Sequence, residues 1–96
     1  MCERAQVKYS YEVSTLEDKL SYEQRTRNLS FAISYYRKKN GYSQERLAEK
    51  VGVSRQHLAS VEAPNMNRGL SLELLFGIAA ALDIEPYLLL KFNPEA

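Results

Sequence analysis

The chain has 96 residues, 45% hydrophobic and 26% charged, which is the size and composition of one globular domain. It has no apolar run of the roughly eighteen residues that a membrane helix needs, and residues 1–10 lack the apolar stretch of a signal peptide. Cys2 is the only cysteine and cannot form an internal disulfide, so the sequence predicts a cytoplasmic protein without a membrane segment.

The charges are unevenly distributed along the chain. Residues 1–24 carry a net charge of −2, residues 25–68 carry +6, and residues 69–96 carry −3. A basic middle segment is typical of proteins that bind a phosphate backbone. Ordinary scatter of surface charge explains the same distribution equally well, so charge alone does not decide the function.

Residues 1–21 form a predicted N-terminal extension. Apolar and polar residues alternate from Val7 to Val13, which is a strand pattern. A strand needs a partner for its backbone groups, either Leu88–Phe92 or the same strand of a second chain. The alternative is a flexible, tyrosine-rich tail. We therefore expect an extension that is either flexible or dimer-forming.

The first predicted helix covers residues 22–39. Ser21 and Gln24 have the spacing of a capping box, and Asn40-Gly41 is a typical helix end. Its apolar positions recur with helical spacing at Leu29, Ile33 and Tyr36. Tyr35, Tyr36 and Tyr42 are predicted to face the core or lie at a helix end.

Two short helices follow with little chain between them. Ser43 is the predicted cap of a helix over about residues 44–51, which Gly52 ends. Ser54 is the predicted cap of a third helix over about residues 55–63. Pro64 and a loop through Gly69 end the third helix.

Two further helices complete an all-α, five-helix domain over residues 22–92. Ser71 is the predicted cap of a fourth helix, and Pro86 suits the first turn of a short fifth helix, Tyr87 to Lys91. Residues 93–96 are a tail. The apolar positions of the fourth helix are Leu72, Leu75, Ile78, Ala79 and Leu82.

The outer face of the third helix has an unusual composition. With Leu58 and Val61 pointing inward, a helical wheel turns Gln56, Ala59, Ser60 and Ala63 outward, flanked by Arg55 and His57. The outer face carries no acid, because Glu62 falls near the core boundary. Gln, Arg and Ser can donate hydrogen bonds to base edges, and small alanines permit close approach to a surface.

The stretch SQERLAEKVGVSRQHLASVE, residues 43–62, resembles the helix-turn-helix of the Cro and phage-repressor type, the xenobiotic-response-element family of bacterial regulators. The resemblance extends over about Leu29 to Leu90 through YYRKKNGYSQ and SLELLFGIAAALDIEPYLLL. It implies a phage-repressor-like domain that binds double-stranded DNA sequence-specifically, inserts the third helix into the major groove and regulates transcription. Repression is the default expectation, because occupancy alone blocks a polymerase.

The resemblance also implies roles for individual residues. Bases would be contacted by Arg55, Gln56 and Ser60. The DNA backbone would be contacted by Gln44, Ser54, His57, Lys38, Asn65, Asn67 and Arg68.

Two further roles are structural. Arg37 and Glu62 would form a partly buried ion pair, and Gly52 would take a positive φ in the turn. The chain departs from the family where Ala63-Pro64 stands in place of a glycine and where the following loop is longer.

Other classes of function fit the sequence less well. One histidine, one distant cysteine and no clustered carboxylates favour neither catalysis nor a metal site, and no cofactor-binding motif is present. The main alternative is a protein-interaction module or antitoxin-type partner-binding protein on the same fold. The N-terminal extension would then contact the protein partner. As a DNA reader, the chain is expected to act as a homodimer, through Tyr87–Phe92 alone or together with Val7–Val13. The alternative is that both segments pack within one chain.

Overall fold

A computed structural model describes residues 15–64 and 70–92, and these contain five α-helices and no strand. The helices are α1 (Thr15–Lys39), α2 (Gln44–Val51), α3 (Arg55–Glu62), α4 (Leu72–Ala81) and α5 (Pro86–Leu90). The all-α class and the five helices are confirmed. The strand predicted at Val7–Val13 lies outside the described residues.

The core lies where α1 crosses α3 and α5 and where α2 packs against α3 and α4. Each helix contributes residues that are less than a tenth exposed, and these pack into one cluster. The buried apolar residues are Ala32, Ile33, Leu47, Ala48, Leu58, Val61, Leu74, Leu75, Ile78, Ala79, Leu82 and Leu89.

Helix α1 begins at Thr15, so the predicted start at residue 22 is wrong by seven residues. Ser21 lies inside the helix, although its spacing to Gln24 fits a capping box. Residues 15–39 contain no Gly or Pro, so nothing in the sequence breaks the helix before Ser21. A capping-box pattern alone therefore does not mark the start of this helix. Most of residues 22–28 are exposed, with Tyr22 at 65%, and the buried residues of this part of α1 follow from Ser30 onward.

Two large side chains, one at an apolar position of the predicted fourth helix and one predicted to face the core or lie at a helix end, are exposed. Leu72 is 68% exposed at the start of α4, where Leu74 is buried instead. Tyr35 is 48% exposed, while Tyr36 and Tyr42 pack against the core. Tyr35 lies next to Tyr36, at the edge of the buried face of α1. Its ring contacts the ring of Phe92, and the two ring centroids are 5.4 Å apart. Apolar residues on the edge of a stripe are buried only where a neighbouring helix covers them.

Candidate nucleic-acid interface

Three local hydrogen-bonding arrangements set the ends of the helix-turn-helix: Ser43 at the start of α2, Gly52 at its end and Ser54 at the start of α3. The Ser43 Oγ accepts a hydrogen bond from the Arg46 N–H, and the Ser54 Oγ accepts one from the His57 N–H, both at 3.0 Å. Gly52 has φ +81° and donates its N–H to the Ala48 carbonyl at 2.9 Å. Each satisfies backbone groups that a helix end leaves unpaired. The predicted caps and the positive φ at Gly52 are confirmed.

The orientation of α3 follows from the residues that it buries. Leu58 is fully buried, Val61 is 2% exposed, and small Ala48 of α2 is 2% exposed. These contacts leave Arg55 and Gln56 exposed at the N-terminal end of α3. Ala59 and Ser60 are half-buried beside them. The outward face of α3 thus presents two long hydrogen-bonding side chains next to small ones.

Ser60 is already engaged within its own helix. Its hydroxyl donates to the His57 carbonyl at 2.7 Å. A hydroxyl has one proton, so in this geometry Ser60 can offer a ligand only its acceptor lone pairs. Arg55 and Gln56 are therefore the stronger candidates for donating to bases.

His57 faces a different surface from Arg55 and Gln56. It is half-buried and lines a cavity of about 260 Å³ together with Gly52, Ser71 and Glu73. This cavity lies between the turn of the helix-turn-helix and the start of α4. His57 therefore lies beside the start of α4 and not on the outward face that carries Arg55 and Gln56.

An ion pair joins the end of α1 to the end of α3. The Arg37 Nε lies 2.7 Å from the Glu62 Oε2, and the second guanidinium bond reaches Oε1 at 3.1 Å. The two side chains are 10% and 5% exposed. Arg37 also donates to the Tyr42 carbonyl at 2.7 Å, which holds the loop before α2. The pair is bidentate and more deeply buried than the sequence predicted.

Gln44 also contacts this ion pair. It is the first residue of α2, and its Nε2 donates to the Glu62 Oε1 at 3.0 Å. Its side chain is half-buried rather than extended into solvent. The sequence contained no signal for this bond, because the two residues are eighteen positions apart.

Ser30 is a further structural residue that the sequence interpretation missed. It is 1% exposed on α1, and its hydroxyl donates to the Val61 carbonyl of α3 at 2.9 Å. Only its small size, next to Leu29 in the apolar stripe, could have indicated a polar contact on the inner face. The Ser30 hydrogen bond and the Arg37–Glu62 ion pair together hold α3 against α1.

A cleft of about 550 Å³ opens between α2 and the start of α3. It is lined by Arg55 and by exposed side chains of α2, including Glu45, Arg46 and Glu49. Arg46 and Glu49 lie 3.6 Å apart and are both more than half exposed. The acids of α2 therefore border the surface that carries Arg55.

The remaining predicted site residues lie away from α2, α3 and the turn between them, or outside the described residues. Lys38 is exposed in the last turn of α1. Asn65, Asn67 and Arg68 lie outside the described residues. Within the described residues, no three His, Cys, Asp or Glu side chains are grouped to hold a metal ion. No described helix combines the length and hydrophobicity needed to span a membrane.

Comparison with known proteins identifies the class of this fold. Residues 33–89 match the model of a helix-turn-helix family. The match spans more than half of the chain and includes α2, the turn and α3. The chain belongs to this helix-turn-helix family, and the resemblance to Cro and phage-repressor proteins is confirmed.

The chain is also similar in sequence to individual proteins of known function. The chain is 40% identical over 63 residues to the HTH-type transcriptional regulator SinR of Bacillus licheniformis, an alignment that covers 66% of this chain and 56% of SinR. The chain thus spans little more than half the length of that relative.

Two solved structures are also similar. SinR in complex with DNA is 38% identical with a TM-score of 0.60, covering 66% of this chain and 98% of that one. The restriction-modification controller protein C.AhdI from Aeromonas hydrophila is 35% identical with a TM-score of 0.59, covering 65% and 91%.

Proposed function

We propose that this chain is a sequence-specific regulator that binds double-stranded DNA and represses transcription. The observation that carries the proposal is the outward face of α3, which presents Arg55 and Gln56 without an acid on the same helix face. Both side chains suit the major groove, where Arg pairs with guanine and Gln with adenine. The structure of SinR in complex with DNA, whose match covers 66% of this chain, supports the same use of the fold.

The other site residues take supporting roles in this proposal. Gln44 and Ser54, at the starts of α2 and α3, contact phosphates together with the backbone N–H groups there. Lys38 and His57 contact the DNA backbone at the edges of the site. Asn65, Asn67 and Arg68 do so from the loop after α3. Ser60 contacts a base only as an acceptor or through water.

The proposed assembly is a homodimer on a two-fold DNA site. A single recognition helix contacts few base pairs, so tight binding requires two half-sites about 34 Å apart. The surface we assign to the dimer is the outer side of α5, where Tyr87 is 56% and Leu90 62% exposed. Such a regulator works in the cytoplasm.

A protein-interaction or antitoxin-type function is the second candidate. It is favoured by a different observation, the exposure of Leu72 and Phe76 on α4, at 68% and 52%. Large exposed apolar side chains of this kind suit a protein contact. The N-terminal extension, residues 1–21, is the other proposed contact for a protein partner.

The experiment that separates these functions is selection of bound sequences from a random pool of double-stranded DNA. Salt at about 150 mM suppresses non-specific phosphate binding. The expected result is enrichment of an inverted repeat. A folded sample that enriches no sequence would contradict the proposal and favour protein interaction.

A further inference from the structure

One hydrogen bond connects the start of the helix-turn-helix to its end. Gln44 is the first residue of α2 and Glu62 is the last residue of α3. The Gln44 Nε2 donates to the Glu62 Oε1 at 3.0 Å. The bond therefore fixes a side chain of α2 against the helix that carries Arg55 and Gln56.

The chemistry of the two groups determines how the Gln44 amide is turned. An ionised carboxylate only accepts hydrogen bonds, so the NH₂ end of the amide must face Glu62. An amide nitrogen carries two protons. With one on Glu62, the second N–H can be donated to another acceptor.

Glu62 is itself held in place. Two Arg37 nitrogens contact its oxygens at 2.7 and 3.1 Å, and both side chains are at least nine-tenths buried. An exposed carboxylate at this position would repel a phosphate. Because Arg37 neutralises Glu62 inside the protein, Glu62 can accept from Gln44 without presenting a free negative charge to DNA.

We infer that Glu62 is a positioning residue for the contact between this protein and the DNA backbone. It holds the Gln44 amide so that the second N–H is donated to a phosphate oxygen. The inference rests on the proposed DNA-binding function and adds to the structural role of the Arg37–Glu62 pair. Since the amide is neutral, the contact contributes to affinity but displaces no counterion.

The test compares operator affinities in a mutant cycle. The variants are Gln44→Ala, the pair Arg37→Met with Glu62→Met, and the triple combination. Replacing both charges by apolar residues of similar length avoids a buried unpaired charge and keeps the fold. Ser30→Ala is the matched control, because it removes another α1–α3 contact without touching Gln44.

We expect Gln44→Ala and the paired substitution each to weaken binding to the selected operator several-fold. The operator affinity of the triple variant should be no lower than that of whichever of these two variants binds less tightly, because Gln44→Ala and the paired substitution remove the same contact. The slope of affinity against salt should not change, and Ser30→Ala should bind like the wild type when folded. Wild-type affinity of the folded paired variant, or additive losses, would overturn the inference. Operator selection by the wild type would stand in either case, which separates this failure from failure of the proposed function.

Side-chain NMR of the wild-type protein gives a second test that needs no variant. In the free protein, one of the two Gln44 Nε2 protons should exchange slowly, and adding operator DNA should shift mainly the other. Rapid exchange of both protons, with neither shifting on DNA binding, would overturn the inference.

Discussion

At the scale of the residue, Arg55 and Gln56 differ from Lys38 in what they are expected to contact. Arg55→Ala or Gln56→Ala should weaken binding to the operator by about 1–3 kcal/mol, and more than binding to random DNA, because base contacts carry the discrimination. Lys38→Ala should weaken both and lower the salt slope by about one. Titrations at several salt concentrations on both DNAs measure the difference. Equal effects of all three changes would refute the base-contact assignment.

The Arg37–Glu62 pair allows a prediction about stability. Glu62→Ala leaves the Arg37 guanidinium buried without its carboxylate and should lower the free energy of unfolding by about 3–5 kcal/mol. Replacing both residues by methionine should cost far less, because no charge remains buried. Urea denaturation of the three proteins measures the free energies. Similar losses for both variants would mean that the pair acts through shape rather than charge.

At the scale of the element, two glycines provide a matched comparison. Gly52, between α2 and α3, has φ +81°, and an added Cβ would meet nothing within 4 Å. Gly52→Ala should therefore cost about 1–2 kcal/mol from backbone strain alone. Gly77 lies in α4, where an added Cβ would only touch Val51 at 4.0 Å.

Gly77→Ala should accordingly stabilise the protein by about 0.5–1 kcal/mol, through the higher helix propensity of alanine. Thermal unfolding of both variants checks the signs. Gly77 also lines the cavity beside His57, and destabilisation by Gly77→Ala would show that this cavity does not tolerate a methyl group. A neutral Gly52→Ala would show that the turn relaxes easily.

At the scale of the whole molecule, the two exposed apolar surfaces make different predictions for assembly. If α5 forms the dimer, Leu90→Ser should raise the dimer dissociation constant and weaken operator binding in parallel. Leu72→Ser, on α4 with similar exposure, should leave both unchanged. Sedimentation equilibrium with operator titrations measures both quantities. Dissociation by Leu72→Ser alone would place the dimer surface on α4.

The sequence by itself determined the features that depend on a few neighbouring residues. Ser43, Ser54 and Gly52 each act on backbone groups within a few residues, so their roles could be predicted from composition and spacing. The buried stripe of α3 follows equally from the helical period. The family resemblance then supplied the Arg37–Glu62 pairing, which periodicity alone did not.

Only the tertiary structure decided which apolar edges are covered and which distant polar groups meet. Leu72 and Tyr35 are exposed because, within the described residues, no neighbouring helix covers that side of α4 or α1. The sequence of one helix does not show which other helices will pack against it. Helix α1 extends to Thr15 because nothing in residues 15–39 stops it. The Gln44–Glu62 bond exists because the packing of α2 on α3 brings together the start of one helix and the end of the next.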